Sequence, residues 1–225
     1  MKYSGVSLSI YLSESVLSIE PAVTQATVRS ISFLEFVETC PDDGNRYELI
    51  NGQIVKMSAT RAHDDVADFI YDAFRDEVRR TRANWKVTRF GSVKTRRDDG
   101  LQQGRTPDVS VVDRSTWNAD LRAYTALEDP IQLAVEVTST NWRDDYLYKL
   151  AEYEALGILE YWIVDYLALG AARYIGSPKT PTISIYQLVD NEYQLRQFRE
   201  DDLIDSLTFP ELQLSAQSIF DSVGG

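Results

Sequence analysis

From Ala62 to about Arg82 the apolar residues fall three and four apart: Val66, Phe69, Ile70, Ala73, Phe74 and Val78 form one stripe among Asp, Glu and Arg. That 3.6-residue period predicts a long amphipathic helix with its stripe facing the core. A shorter stretch, "SISFLEFVETC", puts Ile31, Leu34 and Val37 on one side behind a Ser30 or Ser32 cap and predicts a short helix. Elsewhere the pattern changes to short apolar runs of strand length. "RYELINGQIVKMS" carries Asn51-Gly52 between two such runs, the strongest short hairpin signal, and "TISIYQL" with "EYQLRQF" predicts a second hairpin around Asp190-Asn191. Two strands around Trp85 to Arg97 are expected to turn near Gly91, with "DDGLQQGRT" as a loop. Strands from Asp108 to Val112, from Gln132 to Ser139 and over "LEYWIVD" follow, and a helix from about Asp144 to Leu156 is stopped by Gly157. Strands outnumber helices and there is one strand-helix-strand unit, so the expected class is α/β, a central mixed sheet flanked by helices.

A chain of 225 residues at 44% hydrophobic can fill one sizeable core, and a single domain over residues 30–225 is expected after a Ser-, Thr- and Val-rich extension over residues 1–29. The longest apolar candidate, "LEYWIVDYLALGAA", is broken by Asp165 and falls short of the roughly 18 residues a spanning helix needs. The first thirty residues make a poor secretory signal, so the expectation is a cytoplasmic protein without a membrane segment. Cys40 is the only cysteine and His63 the only histidine, which excludes an internal disulfide and a cysteine–histidine zinc cluster. The 35 acidic residues suit a hard cation such as Mg²⁺ or Mn²⁺. The aromatics of "EYWIVDY" read as core, with a homodimer interface as the alternative.

The net charge of −12 argues against DNA as a partner until its distribution is read. Residues 75 to 105 hold ten of the 23 Lys and Arg against four acids, a local +6 that leaves −18 for the remainder. Lys94, Arg96, Arg97 and Arg105, with Trp85 and Phe90 between the charges, are the candidate nucleic-acid arm. The alternative is a solvated helix end followed by a hairpin.

Candidate chemistry sits on two of the strands. Asp108 opens one and Glu136 lies near the end of the other, inside "LAVEV", where a charged carboxylate is costly unless it is paired or coordinates a metal. Two such carboxylates suit a divalent cation that polarises a phosphodiester, although a buried ion pair with an arginine accounts for them equally simply. A lysine two residues after the glutamate would complete the arrangement, but that position is Thr138. Lys149 is the replacement: a helix folding back along the strand from about Asn141 brings it about 10 Å down, level with Glu136. Its alternative is an exposed pair with Asp145 or Glu152.

"YELINGQIV", "TPDVSVV", "LAVEVTST", "KLAEYEALGILEYWIVD" and "FPELQLSAQSIF", in that order over residues 30 to 220, resemble the Uma family of putative restriction endonucleases, a branch of the PD-(D/E)XK nuclease superfamily. The resemblance implies a restriction-endonuclease-like fold and an Mg²⁺- or Mn²⁺-dependent endonuclease acting on DNA. It implies Asp108 and Glu136 as metal carboxylates, Glu48 as a third, and Lys149 as the lysine moved from strand to helix. His63 matches a family histidine without an assigned role. Read from the residues, Glu48 could equally be an exposed cross-strand partner and His63 a structural histidine. An inactive nuclease-fold module for nucleic-acid or protein binding is the competing function.

Overall fold

The computed structural model describes residues 29–120 and 125–224; the N-terminal extension lies outside the described residues except for Arg29. The first element of the described residues is α1 (Phe33–Thr39), capped by Ser32 in a reciprocal capping box with Glu35. It buries Phe33 and Phe36, not the expected Leu34, which is exposed. The Ser32 cap fixes the start two residues later than the Ile31-Leu34-Val37 stripe requires, and the larger phenylalanines take the inner face.

A hairpin of β1 (Tyr47–Ile50) and β2 (Gln53–Lys56) turns at Asn51-Gly52, both at positive φ as a tight hairpin demands. Then comes α2 (Arg61–Thr81), whose buried stripe runs through Val66, Ile70, Phe74 and Val78. After it the expected turn near Gly91 is absent. β3 (Trp85–Thr88) and β4 (Ser92–Arg96) are successive parts of one bent arm, and β5 (Gln102–Arg105) and β6 (Val109–Asp113) form the returning arm. β4 pairs with β5 and β3 with β6 in one continuous register, and the reversal lies at Arg97–Leu101, where Gly100 has φ +83°. The stretch read as a loop is thus this turn and a strand.

That register sets Gly91 opposite Pro107 at the bend. Proline supplies no ladder donor and glycine no side chain, so pairing lapses there and the hairpin passes from one sheet to another.

A short α3 (Arg114–Asn118) and β7 (Ala126–Leu127) lead to β8 (Leu133–Val137). A π-helical turn (Asp144–Lys149) then runs into α4 (Leu150–Leu156), which ends at Gly157 with φ +88°. Next come β9 (Glu160–Asp165), α5 (Ala172–Ile175), the hairpin of β10 (Thr182–Val189) and β11 (Glu192–Phe198), and α6 (Ala216–Phe220). Two mixed sheets result, ordered β2-β1-β5-β4-β7 and β11-β10-β9-β8-β6-β3, with β4–β7 and β8–β9 parallel.

One face of the six-stranded sheet packs on α2 and the C-terminal segment through Leu133, Val135, Trp162 and Phe209. Phe74 meets Trp162 edge to face at 5.2 Å. The other face packs through Ala134, Tyr146, Tyr153 and Tyr161. Tyr161 and Trp162 are fully buried, which removes them as a dimer interface. Among the described residues no helix is long and apolar enough to cross a membrane.

Gly104 in β5 faces the α1 aromatics, and a Cβ placed there would stand 3.0 Å from both the Phe33 and Phe36 rings. Gly104→Val should cost about 1–3 kcal/mol of stability by overpacking. Urea unfolding of the two proteins checks it, and an unchanged midpoint would mean that α1 can shift freely.

Candidate functional site

The site lies where the two sheets meet, at the bend of the long hairpin. β6 and β8 are antiparallel, with Val109 opposite Val135, so the next pair outward is Asp108 opposite Glu136. In the other sheet Leu49 pairs with Gly104, which sets Glu48 opposite Arg105. Strand register alone therefore brings three of the expected carboxylates to one seam, and all three are buried. A cavity of about 410 Å³ opens there, lined among others by Arg46, Glu48, His63, Asp108, Glu136 and Lys149.

Lys149 reaches this seam from the helix. Its Nζ lies 2.9 Å from Glu136 Oε2, 3.4 Å from Glu48 Oε1 and 3.6 Å from Asp145 Oδ1, and it is only 3% exposed. The exposed-pair alternative is thereby excluded. Burial alone would lower the Lys149 ammonium, but Glu136, Glu48 and Asp145 override it and hold it well above the ordinary lysine value. Thr138, two residues after Glu136 in the strand, is buried and its hydroxyl has no hydrogen-bond partner among the described residues.

Asp108 is held from two sides. Arg46 Nη1 donates to its Oδ1 at 2.6 Å, while Oδ2 accepts from the Val137 N–H at 2.8 Å and lies 3.2 Å from His63 Nε2. Burial would raise this carboxyl, yet the His63 hydrogen bond and the Arg46 and His63 charges hold it well below the usual range. The same contact raises His63 against its own burial. Glu136 accepts from Tyr153 Oη at 2.8 Å, and burial, reinforced by Asp108 and Glu48, pushes it up to about 7 although Lys149 opposes the shift.

Glu48 behaves differently. It accepts from the Thr106 N–H at 3.2 Å and pairs with Arg105 at 3.1 Å, and Lys149 and Arg105 together keep it ionised despite complete burial. Its reading as an exposed cross-strand partner falls with that burial.

Arg105 leaves the proposed nucleic-acid arm. It is 2% exposed and grips Glu152 through two nitrogens, each at 2.8 Å, while also contacting Glu48 and, at 3.3 Å, Asp144. Three carboxylates inside the fold take four of its five donors, and its burial keeps it from a phosphate in solvent. Lys94 pairs with Glu128, and Arg97 with Asp99, so of the expected arm Arg96 alone is an exposed cation without a carboxylate partner among the described residues.

Arg46, Asp144, Asp145, Glu152 and Tyr153 were not singled out from the sequence as members of this cluster. Arg46 precedes Glu48 by two, which is the same face of an extended chain, and Tyr153 follows Lys149 by four, which is the same face of a helix. Those spacings were readable; which face turned inward was not.

The chain has been compared with known proteins. The model of the Uma2 family, described as "Putative restriction endonuclease", matches residues 33–217. Among solved structures the chain is similar to a crystallised protein described as "a putative nuclease belonging to DUF820 from Anabaena variabilis", with TM-score 0.63 and 18% identity over 85% of this chain and 98% of that one. No match was found among curated proteins.

The titrations give stability a defined pH dependence. Glu136 and His63 both have folded values above their unfolded ones, so each binds extra protons in the folded state and stabilises it as pH falls. Asp108 and Glu48 are depressed and act in reverse, losing their contribution only on strong acidification. Stability should therefore rise from about pH 8 to about pH 5.5 and decline below about pH 4. Denaturant unfolding across that range checks the sign, and Glu136→Gln should flatten the rise; a profile that climbs toward pH 8 would contradict the assignment.

Proposed function

The chain belongs to the Uma2 family of putative restriction endonucleases, and from that premise we propose that it is a divalent-metal-dependent DNA endonuclease whose site is the seam of Asp108, Glu136, Glu48 and Lys149. The observation that carries this reading is Lys149 Nζ at 2.9 Å from Glu136, across the strand register from Asp108, in an open cleft. A lysine buried for structural reasons alone would not need to stand at a cavity wall.

The residues fit a hard cation in chemistry and in charge. Of the described residues lining the cleft, six carboxylates, Glu48, Asp64, Asp108, Glu136, Asp144 and Asp145, face three permanent cations, Arg46, Arg61 and Lys149. The surplus is negative, and burial raises Glu136 and Asp145 toward their neutral forms, as expected where positive charge is short. Among the described residues no three acidic, histidine or cysteine side chains are gathered into a ready metal cage. Magnesium characteristically uses one or two carboxylates with water and substrate phosphate oxygens, so Asp108 and Glu136 are sufficient protein ligands. When bound, the cation supplies polarisation of the phosphate and relief of charge on the departing oxygen.

The chain's own groups divide the remaining work. Arg46 and His63 fix the orientation of Asp108, and the Val137 N–H holds its second oxygen. Tyr153 and Lys149 do the same for Glu136. Lys149, whose donors face Glu136, Glu48 and Asp145 and whose proton affinity is raised, keeps its proton and acts by its charge on the phosphate or the attacking water, not as a general base. Arg105 and Glu152 brace Glu48 from behind.

Mn²⁺ should raise the melting temperature, and Asp108→Asn or Glu136→Gln should shrink that rise. Lys149→Met should lower cleavage of DNA by roughly 10²-fold or more. It should also cost stability, on the order of 3–5 kcal/mol, because Glu136 and Glu48 lose a buried partner. Incubation of wild type with supercoiled and single-stranded DNA in Mg²⁺, Mn²⁺ or chelator tests the reading. Equal Mn²⁺ stabilisation of wild type and both carboxylate variants, with no DNA cut, would overturn it.

A further inference from the structure

The segment that delivers Lys149 begins with a group of aromatic side chains that the chemistry above leaves unused. Trp142 and Arg143 lie between Asn141 and Asp144, both of which line the cleft. The Arg143 guanidinium sits over the Trp142 ring, 4.7 Å from its centroid. Arg173, at the start of α5, sits over the Tyr174 ring at 4.6 Å. The Trp142 and Tyr174 rings meet edge to face at 6.1 Å, and Tyr174 stacks at 4.8 Å and 23° on Tyr146, which is fully buried beneath them.

We propose that Trp142 and Tyr174, with Arg143 and Arg173, form a stacking platform for unpaired bases of single-stranded DNA beside the cleft. This rests on the nuclease reading and narrows its substrate to DNA with a single-stranded segment next to the cut.

Three observations carry the assignment. In a chain of net charge −12, three cations at the seam are taken up by carboxylates: Arg46 by Asp108, Arg105 by Glu48 and Glu152, Lys149 by Glu136. Arg61 at the cleft wall is exposed and has no carboxylate partner among the described residues. Arg143 and Arg173 are exposed and have no carboxylate partner among the described residues, so their charge remains available to phosphate. Trp142 and Tyr174 are only half-buried, although the platform stands on the rigid Tyr146 ring. The exposed guanidinium that lies over each ring can give its place to a base, which leaves a flat π surface for the base and the displaced fork of donors for the phosphate. Trp142 and Arg143 are also flanked in the chain by Asn141 and Asp144, which line the cleft, so the platform borders the site.

A base inside a duplex has its faces covered by its neighbours and has nothing to lay on such a platform. An unpaired base has both faces free. The platform therefore favours single strands, and by face rather than by hydrogen-bonding edge, so with little preference for sequence.

The test measures binding of fluorescein-labelled DNA to the full chain in chelator, where cleavage does not intervene. A single strand of about 20 nucleotides should bind more tightly than the blunt duplex of the same sequence. Trp142→Ala should weaken single-strand binding about tenfold and duplex binding less than about twofold. Trp142→Phe, which keeps a ring against Tyr146 and Tyr174, should retain most of the affinity. The surface pair Arg143→Gln with Arg173→Gln, which disturbs no buried contact, should reproduce the selective loss. Variants that bind both DNA forms like wild type, while wild type still cuts DNA with Mn²⁺, would overturn the platform and leave the nuclease reading standing. An equal loss on single strand and duplex would also overturn it, as charge without stacking, and tighter binding of the matching RNA strand would overturn the choice of DNA. Failure to bind or cut any DNA would remove the nuclease reading beneath it.

Discussion

The buried ammonium of Lys149 is the contact on which the remainder of the structure leans. Moving such a charge out of water costs several kcal/mol, and the cost is recovered only where geometry and further hydrogen bonds are good. Here three carboxylates from three different elements surround it: Glu48 from β1, Glu136 from β8 and Asp145 from the π-helical turn. Lys149 is paired from all three, while Glu48 has Arg105 as a second cation and Glu136 the Tyr153 hydroxyl as a second partner. The five-stranded and six-stranded sheets are consequently bound to each other by charge as well as by the hairpin that runs through both. Arg105 repeats the arrangement one layer behind, joining β1 to α4 through Glu48 and Glu152.

The bend of the long hairpin explains why the two layers face one another. Arg105 ends β5 in one sheet and Asp108 precedes β6 in the other, with only Thr106 and Pro107 between them. Pro107 withholds the donor that would have continued the ladder, and the side chains on either side serve different sheets. Thr106 secures the crossing, its N–H donating to Glu48 and its hydroxyl to the Tyr47 carbonyl. A straight hairpin would place Arg105 and Asp108 in a single sheet and give Glu48 and Glu136 no reason to meet.

Much of this was readable before any coordinates, for reasons that differ from residue to residue. The period of α2 and the Asn51-Gly52 and Asp190-Asn191 turns are local signals, and all three hold. The approach of Lys149 to Glu136 followed from the rise of a helix set against the rise of a strand, both nearly constant. Depth was harder. Lys149 with Asp145 and Glu152 has the same spacing whether a helix face is wet or dry, and only the packing of α4 against the sheets decides. The bend at Gly91 and Pro107 was misplaced because a glycine between two short strands looks like a hairpin turn, whereas the reversal belonged to Asp98-Asp99-Gly100. Arg105 was read as surface since it follows a polar run; its burial depends on Glu48, 57 residues away in sequence.

The π-helical turn between Asp144 and Lys149 lets the chain fit one more residue between two sets of anchors. Such a turn bonds each N–H five residues back instead of four, so it holds one residue more than an α-helical turn. Asp144 and Asp145 grip Arg105 and Lys149 from its start, while Glu152 and Tyr153 grip Arg105 and Glu136 from beyond its end. The wider turn sweeps about the same angle as an α-helical turn with one residue fewer, so the extra residue is absorbed inside it and Glu152 and Tyr153 keep the face that meets the seam. The helix from Leu150 then holds that face until Gly157 stops it.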